Sequence, residues 1–120
     1  MKKLFALITD KAVLVLPDKI TEKAIPIEFA FNNTNVPFMT YGLPKNIKKY
    51  IEKNTKNIFP KIKTKHKERA IVQSLPVGSI IDIVSTKEKA SYWFKYGCYL
   101  MTLEEAEIYK KLFNSKYMPN

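Results

Sequence analysis

The sequence predicts an α+β fold: a mainly antiparallel sheet of about six or seven strands, in the order ββββ-α-βββ-α, with two helices packed on it. Three observations carry this. Short runs rich in Ile, Val, Leu and aromatic residues recur between turn residues. Two longer stretches place apolar residues at helical spacing, one behind a proline and one behind a capping pattern. Strands do not alternate regularly with helices, as a parallel sheet would require. A chain of 120 residues is expected to form one domain spanning 1–120. At that size it can bury one real core without staples.

Residues 4–8 (LFALI) and 12–16 (AVLVL) are apolar on both faces and flank Thr9-Asp10-Lys11. They read as a hairpin of central strands. In 24–31, Ile25, Ile27, Phe29 and Phe31 alternate with Ala24, Pro26, Glu28 and Ala30. That is the period of a half-buried strand, and Pro26 puts it at a sheet edge. Residues 36–41 suggest a fourth short strand, closed by Gly42.

Pro44 suits the start of a helix. From there Ile47, Tyr50, Ile51, Asn54 and Ile58 fall on one side, with Lys45, Lys48, Lys49, Glu52, Lys53 and Lys56 opposite. Pro60 stops it. Residues 61–67 (KIKTKHK) alternate strictly, so an extended backbone would point Lys61, Lys63, Lys65 and Lys67 the same way. A solvated loop of repelling charges fits the same residues.

Residues 70–75 and 79–85 read as strands joined at Pro76-Val77-Gly78, and 86–90 as a polar turn. Residues 91–101 then read as one long aromatic strand. Tyr92, Phe94, Tyr96, Cys98 and Leu100 face the core in this reading, and Trp93, Lys95, Gly97, Tyr99 and Met101 face outward. Thr102 and Glu105 have capping-box spacing. The helix behind them packs Leu103, Ala106, Tyr109, Phe113 and Tyr117 on the sheet, and Met118-Pro119-Asn120 is read as a frayed end.

Charge is the one functional signal. Residues 44–69 hold ten of the chain's 21 Lys and Arg against two acids, Glu52 and Glu68, and so carry most of the net +10. The other residues are nearly neutral. Lysine dominates the basic set, Arg69 being the lone arginine, and with many Ile and Asn this matches an AT-rich coding sequence. Lysine is a hydrated point charge without the bidentate fork of arginine. It suits diffuse attraction to a polyanion.

Groups able to carry catalysis are few. The single histidine, His66, lies inside the lysine run, where a solvated imidazole is the plain explanation. The single cysteine, Cys98, excludes an internal disulfide and reads as a buried, inert thiol in a reducing compartment. Asp82 interrupts the apolar run 80–84 and reads as a residue on a water-facing strand side or in a salt bridge. Glu104, Glu105 and Glu107 are explained by a helix start. Three glycines supply no phosphate-cradling loop, and no metal site or cofactor is expected. The apolar run at 4–8 is too short for a signal peptide, which needs about 7–15 apolar residues. No run approaches the roughly 18 of a membrane span.

The expectation is a cytoplasmic, intracellular, non-enzymatic protein that binds DNA or RNA without a membrane partner, inside an infected cell if the source is viral. Its phosphate contacts would come from Lys45, Lys48, Lys49, Lys53, Lys56, Lys61, Lys63, Lys65, Lys67 and Arg69. Trp93, Lys95 and Tyr99 would form a base-stacking platform, unless they are only cross-strand pairs. Two alternatives use the same residues. One is an interaction or inhibitor protein, of viral or mobile-element type, that docks on an acidic partner protein. The other is a small toxin-type ribonuclease built on lysine, His66 and Arg69.

Overall fold

The computed structural model describes residues 3–75, 78–85 and 87–113. Among them the chain is α+β, with six strands in two three-stranded antiparallel sheets and four helices. The order is β-β-β-α-α-β-β-α-β-α, which departs from the expected order in two places. The residues divide into two compact units, one from 1–40 with 45–60 and the other from 41–44 with 61–120.

The first unit is built on the expected hairpin. β1 (Phe5–Ile8) pairs antiparallel with β2 (Val13–Leu16), Phe5 opposite Leu16 and Ile8 opposite Val13. Thr9 closes the turn: its hydroxyl donates to the Ala12 carbonyl at 2.7 Å, and the Ala12 amide donates back to the hydroxyl at 3.0 Å. All four β2 residues are buried, as a strand apolar on both faces requires. β3 (Ile25–Pro26) pairs with the other edge of β1.

The strand expected over 24–31 stops there and is corrected to a helix. Pro26 lies at φ −56° and ψ 137° and caps α1 (Ile27–Asn33), whose first amide donates to the Leu4 carbonyl. The residues fit both periods over so short a run. The helical one wins because it buries Ile27 and Ala30 on one face. Phe31 stacks on Phe38 at 5.2 Å and meets the edge of Tyr50 at 5.8 Å. Of the strand expected over 36–41, only Phe38 makes bridges, one to Val13 and one to Ile58.

α2 (Lys45–Asn54) starts directly after Pro44, as its sequence suggests. It ends six residues short of Pro60, where the Asn54 side-chain amide donates to the Tyr50 carbonyl at 2.8 Å. Ile58 therefore leaves the helical face and pairs with Phe38 instead.

In the second unit, β4 (Arg69–Gln73) lies between β5 (Ile80–Val84) and β6 (Cys98–Thr102), both antiparallel to it. The β4–β5 connection is closed by the Gln73 amide on the Ser79 carbonyl at 2.7 Å, with Gly78 at φ +84°. Pro76, Val77 and Thr86, named in the expected turns, lie outside the described residues, as do Tyr117 and the terminal three.

The long aromatic strand over 91–101 is the second correction. Its first part is a helix, α3 (Ala90–Phe94), and only its end is β6. Amides of Tyr96 and Gly97 close a turn onto the Trp93 and Phe94 carbonyls. Gly97 then takes φ +79°, a left-handed conformation open to glycine, and redirects the chain into β6.

α4 (Leu103–Phe113) begins with the expected capping box. The Glu105 amide donates to the Thr102 hydroxyl at 3.1 Å, and the Thr102 amide donates to the Glu105 carboxylate at 2.9 Å. Ala106, Tyr109 and Phe113 are buried. Gly42 lies against β6 at φ +76°, where a Cβ would meet the Tyr99 Cβ at 2.7 Å and the Leu100 nitrogen at 3.1 Å.

Two substitutions test this packing by urea denaturation. Gly42→Ala should lower stability by roughly 2 kcal/mol or more, since it combines a left-handed residue with a backbone clash. Thr102→Ala should cost about 1 kcal/mol through the lost cap.

Candidate nucleic-acid interface

In the first unit, the helical repeat of α2 sorts its residues by chemistry. Ile47 and Ile51 are buried, while Lys45, Lys49 and Lys53 line the opposite, exposed side and Lys48 flanks it, half-buried. Lys56, just beyond the helix, is exposed. Among the described residues, no carboxylate lies within 4.0 Å of the amines of Lys45, Lys48, Lys49, Lys53 or Lys56. The spacing opposes helix stability. Lys45, Lys49 and Lys53 repel one another four residues apart, and the first turn holds no acid to meet the helix dipole.

In the second unit, 61–68 forms neither strand nor helix. Lys61, Lys63, Lys65 and Lys67 are exposed along it, and Ile62 is half-buried. One carboxylate oxygen, Glu104 Oε2, holds the backbone in place. It accepts the Lys65 amide at 2.6 Å and the His66 amide at 3.4 Å, and lies 3.2 Å from His66 Nδ1. The Lys65 amide is the main reason that the Glu104 carboxyl is held down at about 2, with its own amide and the His66 donors helping. Arg69 turns inward on the same loop. Its Nη1 donates to the carbonyls of His66, Lys67 and Glu68 at 3.3, 3.0 and 3.2 Å. The lone arginine thus ties the loop to itself through Nη1.

The expected platform of Trp93, Lys95 and Tyr99 is not assembled on one strand face. Tyr99 is 2% exposed and packs between Phe94 and Tyr109, at 6.4 and 5.9 Å. Burial pushes its phenol well above the ordinary range. Trp93, on α3, is half-buried, its indole nitrogen enclosed without a partner among the described residues. Lys95 is exposed, and the exposed aromatics beside it are Tyr92 and Tyr96. A strand reading turns those two inward. Their spacing of four residues, the helical repeat, was the available signal.

The other candidates are Cys98 and Asp82. Cys98 is buried and its thiol is pushed up by burial, which suppresses the nucleophilic thiolate. Asp82 is exposed on β5, its carboxylate accepting the Ile83 amide at 2.8 Å. Among the described residues, no three His, Cys, Asp or Glu side chains gather as metal ligands. No helix among them is long and apolar enough to cross a membrane.

The role of Glu104 is open to NMR. Its carboxyl resonance should titrate near pH 2 instead of near the ordinary 4.5. Because the folded value is depressed, the stabilisation is complete above the ordinary value and fades as pH falls from there toward about 2. Glu104→Gln should speed hydrogen exchange at the Lys65 amide and leave β4 protected. Compared with known proteins, the chain matches no family model, no curated protein and no solved structure.

Proposed function

We propose that this protein binds nucleic acid without catalysis, through phosphate contacts from Lys45, Lys48, Lys49, Lys53 and Lys56 and from Lys61, Lys63, Lys65 and Lys67. One observation carries the reading. The α2 lysines are exposed or half-buried, repel one another, and among the described residues have no carboxylate partner. A cation set that works against its own helix is explained by a polyanion that relieves the repulsion and releases counterions. Lysine in place of arginine favours affinity for any sequence over reading of bases. The buried single thiol suits a reducing intracellular setting. An acidic protein would meet the same cations, and failure of DNA and RNA to bind at low salt would favour that partner.

A second reading, ribonuclease, draws on the Glu104–His66 pair. A carboxylate at 3.2 Å from Nδ1 orients an imidazole whose side chain is 58% exposed. Its Nε2 would accept the proton of an RNA 2′-hydroxyl as that oxygen attacks phosphorus. The P–O5′ bond then breaks, and the leaving oxygen takes a proton from water. Release of a 2′,3′-cyclic phosphate, lost in His66→Ala while binding persists, would establish this reading.

The principal test is affinity for a mixed-sequence duplex at several salt concentrations. With about six phosphates engaged, the log–log slope should be about −5. Replacing Lys45, Lys49 and Lys53 together with Gln should make it shallower by about 3 and weaken all sequences alike. The same change removes repulsion in α2, so thermal stability should hold or rise, which separates lost binding from lost folding.

A further inference from the structure

We infer that Tyr92 and Tyr96 form a stacking site for unpaired bases, and that the protein therefore binds single strands more tightly than duplex. This rests on the nucleic-acid reading above and adds the class of ligand to it. Tyr92 is 49% exposed and Tyr96 63%. Large aromatics so open to water in a chain with a full core point to a partner with apolar faces. The rings are not loose. They meet edge to face at 5.7 Å, and Tyr92 packs on Trp93 at 5.1 Å with an interplanar angle of 85°. The Lys95 amine lies over both, 5.1 Å from the Tyr92 centroid and 5.2 Å from that of Tyr96.

The local backbone holds this arrangement. Tyr92 is on α3, and Tyr96 is in the turn whose amide bonds to Trp93 and whose Gly97 takes a positive φ. Phe94, on the same helix, is buried and anchors the segment. The nearby charges are mainly cationic: Lys87 and Lys89 precede α3 with Glu88 between them, and Lys95 follows it, all exposed. Aromatic faces with a lysine between them offer both halves of a nucleotide a contact. The ring takes the base and the ammonium takes the phosphate. A duplex keeps its bases stacked inside and cannot use the rings. Every base has a flat face, so the site adds strand selectivity without sequence selectivity.

An abasic strand separates the two contributions, because it keeps the phosphates and lacks the bases. Three probes of equal length, about 12 nucleotides, are compared: a mixed single strand, its abasic counterpart and the duplex. The single strand should bind about tenfold to 100-fold more tightly than the abasic strand. The chain's one tryptophan, Trp93, touches Tyr92, so its emission should change with the base-bearing strand more than with the abasic one. Tyr92→Ala with Tyr96→Ala should erase the difference and leave abasic binding unchanged. Tyr92→Phe with Tyr96→Phe should keep it, because the rings remain. Equal affinity for base-bearing and abasic strands, or a difference that survives the double alanine variant, overturns the stacking site alone. Failure of all three probes to bind at low salt overturns the nucleic-acid reading with it.

Discussion

Like charges confined to a short stretch of chain repel one another, and folding has to hold them together at the surface. Residues 44–69 carry ten cations and two acids, and the two units meet this constraint differently. In α2 the answer is apolar. Burying Ile47 and Ile51 contributes roughly 1.5–3 kcal/mol each. The Lys45–Lys49 and Lys49–Lys53 pairs cost only about 0.2–0.5 kcal/mol apiece. Packing wins, and the helix persists although its charge order opposes it. In 61–68 nothing comparable is buried, so polar groups hold the backbone. Glu104 takes the amides of Lys65 and His66, and Arg69 takes three carbonyls. Lys45, Lys49, Lys53, Lys63, Lys65 and Lys67 are exposed in both cases.

Where a single local rule governed, the sequence was readable. The hairpin of β1 and β2, the start of α2 behind Pro44, and the Thr102–Glu105 capping box all follow from residues within a few positions of one another. The burial of Cys98 and the exposure of Asp82 were readable too. Reading failed where two periods fitted the same short run. Around Ile27, and again around Tyr92 to Tyr96, residues two apart and residues three or four apart were both apolar. Tertiary burial, which no local pattern reveals, chose the helix. The exposed aromatics shifted with it. Tyr99 went into the core, and Tyr92 and Tyr96 came to the surface beside Lys95. The Glu104 anchor spans 39 residues of chain, and its part in the capped helix start gave no sign of it.

The division of labour among basic residues bears on function. Arginine, the residue best suited to forked recognition of phosphate or guanine, is engaged with the chain's own carbonyls. Lysines are left for any partner, and point charges attract a polyanion without selecting its sequence. Selectivity would then come from another feature, and in the proposed stacking site an exposed aromatic pair would distinguish open strands from closed ones. Attraction by charge and discrimination by ring faces are separable contributions.

The most direct test is to observe the lysines themselves. Reductive methylation with carbon-13 formaldehyde labels each amine and keeps its charge, so an oligonucleotide can be titrated while each site is followed by NMR. Signals from Lys45, Lys49 and Lys53 should shift together on titration, and so should those from Lys63, Lys65 and Lys67. Lys19, Lys23, Lys110 and Lys111 should change little. Equal small shifts across all lysines, or saturation at none of them, would contradict nucleic-acid binding through these lysines.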